Sequence, residues 1–546
     1  MSVHDVIIVG AGSAGCVLAD RLSADGATSV LLLEAGGEDR HPMLGPPLAY
    51  MSVSADPQFG WPYVTEPENA TGGRVFPQPR GRLLGGTSSI NGMMYVRGHR
   101  LDYDRWAAAG LAAWSYADVL PYFRRAERSW RGAGLYHGGD GPLSVSRHPD
   151  FPLLTAAMIE TAARLGYPAT DDFNGVQQAG FGVPDFNFRN GRRQSTAKAY
   201  LGRARGRPNL EVRTRAAAHR VLIENGRAVG VEYRQSGRTQ QARAAEVILS
   251  CGAFASPQLL MLSGVGPADH LRDMGIAPAL DLPGVGRNLH DHPHLAAVYE
   301  AAGPYAFHEE LRLDRLAISA VKWGLTGRGP LGGMPIVGQG FVTLDPDEAH
   351  PDVQFQISAV AMTARPWLPG WRSSAGHYFT AAAMQLRPRG RGEVTLRSSD
   401  PADTPRIRHG LLCDSADRRA AREMMTFMRG FLAAQPLSDL VRGEVSPGPQ
   451  VRTDAEVDAY VRGGLHTSMH AVGTCAMGVD DQAVVDAELK VQGIEGLRVV
   501  DASVMPTIVS GNTNAPVIMI AEKAVDLILG RPAPAPAFAA QLFAAA

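Results

Sequence analysis

Residues 5–37 read DVIIVGAGSAGCVLADRLSADGATSVLLLEAGG, and the fold of the chain is decided there. Val6, Ile7, Ile8 and Val9 are β-branched apolar residues of the kind found in a strand buried on both faces. A glycine turn follows, with Gly10, Gly12 and Gly15 in the spacing G-x-G-x-x-G. Behind it Val17, Leu18, Ala19 and Leu22 fall at helical spacing. A second apolar run, Val30 to Leu33, ends in Glu34, 19 residues past Gly15. Gly10 permits a tight turn out of the strand, Gly12 lets backbone approach a pyrophosphate, and Gly15 lets the helix lie close to the strands. The helix N-terminus then offers free N–H groups and partial positive charge to phosphates. Glu34 is placed to accept hydrogen bonds from a ribose 2′-OH. A βαβ unit with no phosphate to bind can carry the same glycines, but strand, helix, second strand and acid in register favour a dinucleotide. The acid disfavours a 2′-phosphate, which leaves NAD or FAD.

Length and composition set the frame for this motif. A chain of 546 residues exceeds the usual domain size several-fold, so two or more domains are expected. Hydrophobic content of 45% and charged content of 20% are those of a soluble globular protein. Lys plus Arg (53) nearly cancel Asp plus Glu (54), so no global field recruits nucleic acid or an acidic membrane. Cys16, Cys251, Cys413 and Cys475 lie far apart, which argues against a disulfide framework or a thiolate zinc site. The first strand begins after His4, leaving no room for a secretory leader, and no window is long and apolar enough for a membrane span. A cytoplasmic protein is expected.

Beyond the motif the chain alternates in texture. His41 to Pro79 is an irregular connection rich in proline, of a length usually found in functional loops or lids. It leads into a glycine- and hydroxyl-rich turn, Gly85 to Ser89, before a helix-capable Ile90 to Val96. Helices are predicted over Tyr116 to Glu127 and Pro152 to Leu165. Strands are predicted over Asn209 to Val212 and Arg220 to Tyr233, the latter broken by a turn at Asn225-Gly226. Glu246 to Ser250 followed by small residues and a helix from Ser256 to Leu262 repeats the logic of the N-terminus. From about Glu300 to Gly463, alternation at Val353, Phe355 and Ile357 and at Val394 and Leu396 predicts antiparallel strands, flanked by helices at Ala416 to Ala434 and Asp454 to Val461. The expected architecture is α/β, α+β overall: a Rossmann-like nucleotide domain from 1–150, 195–300 and 464–546, and a substrate domain from 151–194 and 301–463 with an antiparallel sheet. The alanine- and proline-rich tail from Arg531 is expected to be poorly ordered.

Two histidine groups compete for chemistry. His290, His292 and His294 alternate along NLHDHPH (288–294) and could face one metal, but no fourth ligand is evident, and a polar structural loop is the favoured reading. His470 precedes a small-residue turn at Gly473-Thr474; by itself it reads as a satisfied structural histidine. A short strand ends at Asp501, and Ser510 to Pro516 opens an apolar helix, Val517 to Leu529, with Asn514 as a natural N-cap.

Taken together, the chain resembles the glucose-methanol-choline (GMC) oxidoreductases, in particular choline-dehydrogenase-like and bacterial alcohol dehydrogenase members. The resemblance rests on the N-terminal fingerprint with Glu34, GRLLGGTSSIN (81–91), GAFASPQLLMLSGVG (252–266), PGVGRNLHDH (283–292), HAVGT (470–474), DAS (501–503) and NTNAP (512–516). It implies FAD, with Gly10, Gly12, Ser13, Ala14 and Gly15 on the pyrophosphate and Glu34 on the adenosine ribose with Ala35 beside it. Gly86, Asn91, Gly92 and Met93 would lie by the isoalloxazine, Ala218 near the adenine, and Asp501 and Ala502 elsewhere along the flavin. His470 and Asn512 match the two catalytic positions. Ile90 stands where some relatives attach FAD through histidine, which implies non-covalent binding. The implied activity is hydride transfer from an alcohol, with His470 as base and Asn512 on the developing alkoxide. The implied acceptor is a quinone, a dye-like acceptor or oxygen, with dehydrogenase favoured over oxidase. Some relatives split cyanohydrins in the same pocket, and a redox-silent lyase is the second reading. No metal is expected.

Overall fold

The strand Val3–Val9 sits in the middle of a seven-stranded sheet in the computed structural model, which describes residues 3–147, 151–361, 364–372 and 376–537. It pairs in parallel with Val30–Leu33 on one side and with Arg238–Leu249 on the other. Leu210–Arg213 and Leu497–Val499 add two more parallel partners. Both faces of these strands are buried, which is why Ile7, Ile8 and all of Val30–Leu33 carry apolar side chains without alternation. The hairpin of Ala216–Glu224 and Arg227–Gln235, turning at Asn225-Gly226 as expected, continues this sheet antiparallel. The fold is the Rossmann-like α/β arrangement anticipated from the fingerprint.

Helix Ser13–Leu22 covers the sheet through buried Ala14, Val17, Leu18 and Leu22. Against it packs the helix Asn514–Ile528, and the two are tied by Ser13 Oγ donating to Asn514 Oδ1 at 2.7 Å and by Arg21 pairing with the buried Glu522. Asn514 is not the expected N-cap: it is the first helical residue, and Ser13 claims its side-chain carbonyl.

The second sheet is antiparallel, in the order Val441–Ser446, Pro293–Ala301, Tyr378–Gln385, Val353–Ser358, Ile336–Val342 and Gly180–Gly182. One face, with Leu295, Phe355, Ala381 and Ala383, packs on Met424, Met428 and Phe431 of the helix Ser415–Ala433. The opposite face looks toward the first sheet. Val394 belongs instead to a separate two-stranded ribbon, Glu393–Thr395 with Arg406–Arg408, so alternation there reported a local pair rather than the main sheet.

Two further expectations change. Gly86–Ser89 forms a short 3-10 turn, but Ile90 to Val96 is not helical: Met93 adopts φ 58°, and Arg193 donates to the Asn91 carbonyl at 2.6 Å, holding the chain extended along the cavity. Arg531 to Ala537 has neither helix nor strand, yet the Ala537 N–H bonds the Ala117 carbonyl; the tail from Phe538 lies outside the described residues. Among the described residues no helix is long and apolar enough to cross a membrane.

Candidate active site

Between the carboxyl ends of the parallel strands and the facing surface of the second sheet lies a cavity of about 1160 Å³. Of the sequence-predicted residues, Gly10, Gly12, Ser13, Ala14, Glu34, Ala35, Gly86, Asn91, Gly92, Met93, Ala218, His470, Asp501, Ala502 and Asn512 all line it. Gly15 does not. It sits where the helix crosses the strand, and a Cβ built there would lie 1.9 Å from the Gly10 carbonyl oxygen.

One end of the cavity is shaped for a phosphate-bearing ligand. The first amides of helix Ser13–Leu22 have no partner within the helix and face the cavity with its positive pole. Gly86, at φ 50°, brings the second loop so near that its Cβ would lie 2.8 Å from Gly12 Cα. Glu34 ends the second strand as expected, and its carboxylate accepts from the Ala11 N–H at 2.9 Å and the Gly36 N–H at 2.8 Å. Burial pushes its pKa up to about 7, against these two donors. Asp501 is also committed: it accepts from the Gly252 N–H at 2.8 Å and Ser256 Oγ at 2.6 Å, and from the Ser503 N–H and Oγ. It ties the start of the helix Gly252–Leu262 to the last strand. A long cavity with an anion-binding helix end and a close double-glycine approach fits a flavin dinucleotide.

At the other end the imidazole of His470 points into the cavity. Its backbone N–H donates to Asp291 Oδ1 at 2.9 Å, and Met469 before it holds φ 63°. Asn512 Nδ2 lies 3.0 Å from His470 Nε2, and His292 Nδ1 lies 3.0 Å from His470 Nδ1, the two rings crossing at 83°. The protons in this chain can be assigned from its far end. His292 Nε2 is 3.1 Å from the Val509 carbonyl, which can only accept, so Nε2 carries the hydrogen. Burial pulls His292 down to about 3, so the ring is neutral and Nδ1 is its acceptor. His470 Nδ1 must then be the donor, and its Nε2 holds a lone pair toward the cavity. Burial also holds His470 well below the usual histidine range. Asn512 offers N–H to that lone pair because its own carbonyl faces Gln354 Nε2, at 3.5 Å, which in turn donates to Gln339 at 3.0 Å.

The three alternating histidines thus have separate duties. His290 Nδ1 donates to the Asn288 carbonyl at 2.6 Å and its Nε2 accepts from the Ile508 N–H at 2.9 Å; His292 orients His470; His294 faces the cavity. The expected polar loop is only partly what the backbone builds: His290 bridges to Val472, His294 belongs to the strand Pro293–Ala301, and His292 between them is buried against His470. Sequence reading noted Asp291 among the histidines but gave it no role, and missed Arg193 and Gln354. The HDH alternation was visible, but its partner 178 residues away was not. Gln354 and Gln356, alternating with Val353, Phe355 and Ile357 in one strand, were the available signal.

Residues 4–294 and 388–521 match the two parts of the GMC oxidoreductase family, and the chain belongs to it. It is 45% identical over 539 residues to an oxygen-dependent choline dehydrogenase of Paraburkholderia phymatum, covering 97% of this chain and 93% of that one. It is 42% identical to the mitochondrial choline dehydrogenase of Mus musculus, covering 97% and 90%. Among solved structures it superposes on a pyridoxine 4-oxidase from Mesorbium loti with a TM-score of 0.87 at 31% identity, over 97% of this chain and all of that one. Formate oxidase from Aspergillus oryzae, with its FAD, gives a TM-score of 0.89 at 27% identity, over 97% of this chain and 98% of that one. The protein is a flavin oxidoreductase whose cofactor is FAD.

Proposed function

We propose that this enzyme oxidises an alcohol to an aldehyde or ketone, with His470 as base and Asn512 as its hydrogen-bonding partner. The observation that carries the reading is the unprotonated Nε2 of His470, fixed by the Val509–His292 chain and turned into the cavity beside the Asn512 amide. When bound, FAD supplies the acceptor for the two electrons that leave the carbinol carbon as hydride. The protein's share is the proton: the hydroxyl displaces the Asn512 amide from His470 Nε2, which takes the proton as the carbonyl forms, and the freed Asn512 N–H steadies the oxygen as negative charge gathers on it. His470 then becomes an imidazolium whose Nδ1–H remains hydrogen-bonded to His292. The fingerprint residues and Glu34 would hold FAD without a covalent bond, Ile90 offering no nucleophile.

Anaerobic addition of a panel of primary, aromatic and polyol alcohols should bleach the flavin band. The active form of His470 is the neutral ring, so activity is retained above its pKa and lost as pH falls through it. Burial holds that pKa below 6.5, and kcat/KM should decline only on the acid side of pH 6.5. A flavin that stays oxidised with every alcohol, while cyanohydrin is cleaved, would move the reading to a lyase.

His292 tests the proton assignment. His292→Leu removes the acceptor for His470 and should lower kcat per bound flavin about tenfold, the worth of one hydrogen bond to a charged group. His292→Gln keeps an acceptor for His470 and a donor for Val509, and should recover most of the loss. Equal rates in the two variants would reduce His292 to a packing residue.

Dehydrogenase is favoured over oxidase because the Paraburkholderia and mouse relatives are named dehydrogenases, the former oxygen-dependent; the acceptor would be a quinone, a dye-like acceptor or oxygen. The two sheets support a division into a nucleotide domain (1–150, 195–300 and 464–546) and a substrate domain (151–194 and 301–463). Cys16, Cys251, Cys413 and Cys475 are all unpaired, which supports a reducing, cytoplasmic setting.

A further inference from the structure

Alcohol oxidation leaves open what the carbinol is attached to, and the second sheet speaks to this. Cross-strand pairing puts His294 opposite Met384 and Ala296 opposite Ala382, which also faces Gln356. His294, Ala296, Met384 and Gln356 therefore share the surface that roofs the His470 end of the cavity, and each of them lines it. This roof is uncharged: burial brings His294 down to about 4, and the Gln356 amide touches only the Met94 sulfur, at 3.2 Å.

The charge at this end belongs to Arg80, a lining guanidinium that carries electrostatic interactions with Asp291 and His470. The acids that line the cavity among the described residues lie elsewhere. Glu34 and Asp501 lie along the dinucleotide half, hydrogen-bonded to backbone amides and, for Asp501, to Ser256 and Ser503 as well, and Asp403 stands exposed on a rim loop with Ser398 Oγ on its carboxylate. Of the aromatic side chains that line the cavity, Tyr50 packs against the cluster of Met93, Met94 and Met334, and the Tyr460 hydroxyl donates to the Ala296 carbonyl at 2.6 Å. Trp61 and Tyr63 stack with centroids 5.6 Å apart, and the Arg82 guanidinium covers the indole at 4.6 Å.

We propose that the substrate is an alcohol without formal charge, carrying an apolar or aromatic body, and that a quaternary ammonium alcohol is selected against. The proposal rests on the alcohol-oxidising reading above and narrows it. A quaternary nitrogen cannot escape its charge by losing a proton. Moving it from water to a surface of thioether, alkyl, amide and neutral imidazole leaves its desolvation uncompensated by any lining carboxylate at this end. Identity of 45% and 42% to proteins named for choline does not by itself fix what the carbinol is attached to.

The test compares choline with 3,3-dimethylbutan-1-ol, which has the same shape with carbon in place of the charged nitrogen. In anaerobic flavin reduction the neutral analogue should be favoured about 100-fold in the ratio of rate to dissociation constant, two factors of ten. Gln356→Glu is isosteric and adds a carboxylate to the roof, and it should shift that ratio toward choline by roughly tenfold. Reduction by choline as efficient as by the analogue overturns the proposal and leaves alcohol oxidation standing. A ratio unmoved by Gln356→Glu overturns the electrostatic account of the preference. A flavin that dithionite reduces but no alcohol does removes the oxidising reading itself, and this inference with it.

Discussion

His470→Ala is expected to slow anaerobic reduction of the flavin by an alcohol by roughly 100-fold or more, the usual size of general base catalysis, while FAD stays bound. The reason for expecting a clean effect is local. The backbone N–H of residue 470 bonds Asp291 whatever the side chain, so the loop stays in place, and Asn512 retains Gln354 behind it. What the variant loses is the one lone pair that the histidine chain aims into the cavity. Stopped-flow bleaching with the best alcohol measures it directly, and an unaltered rate in the variant would strike His470 from the mechanism. A residual rate is compatible with the reading, since Asn512 and the bound orientation of substrate survive.

Gly15→Ala should abolish retention of FAD, leaving a colourless protein with at least a tenfold lower flavin-to-protein ratio after purification. The added Cβ would stand 1.9 Å from the Gly10 oxygen and 3.0 Å from its carbon, and neither is a side chain that can swing aside. The helix must lift from the strand, and the amides of its first turn move with it away from the phosphate position. Overpacking of this kind costs about 1–3 kcal/mol, so lower thermal stability should accompany the lost colour. Gly430→Ala is the control: it lies in the helix Ser415–Ala433 with nothing within 4 Å of its Cβ, and should be yellow. A yellow Gly15→Ala protein would show that the strand and helix tolerate separation.

The nucleotide half of the molecule was legible because its information is local. Gly10, Gly12, Gly15 and Glu34 lie within 25 residues, and each owes its identity to a neighbour a turn or a strand away. The same holds for the Asn225-Gly226 hairpin, where the turn chemistry and two short strands are contiguous. The site was legible as a set of positions, by resemblance, but not as a mechanism. His470 and Asn512 were named, whereas the chain that settles which nitrogen holds the proton runs through Val509, His292 and Gln354, from three separate segments. No periodicity encodes such a meeting. The reading of Ile90 to Val96 as helical failed for a related reason: local propensity was overruled by a distant guanidinium, Arg193, which draws the Asn91 carbonyl toward itself. Asn514 repeats the pattern, a good cap by type whose side chain was taken by Ser13 from the neighbouring helix.

The contact between Ser13 and Asn514 joins residues 501 positions apart, so the two helices that brace the phosphate end meet only when almost the whole polypeptide is available. Closing so long a loop is slow and entropically expensive relative to forming the local strand–turn–helix beside it. During translation the glycine turn must therefore persist for some time without its brace. Capture of the yellow cofactor becomes a late event in the life of each molecule, governed by arrival of the far segment rather than by the motif that announces it.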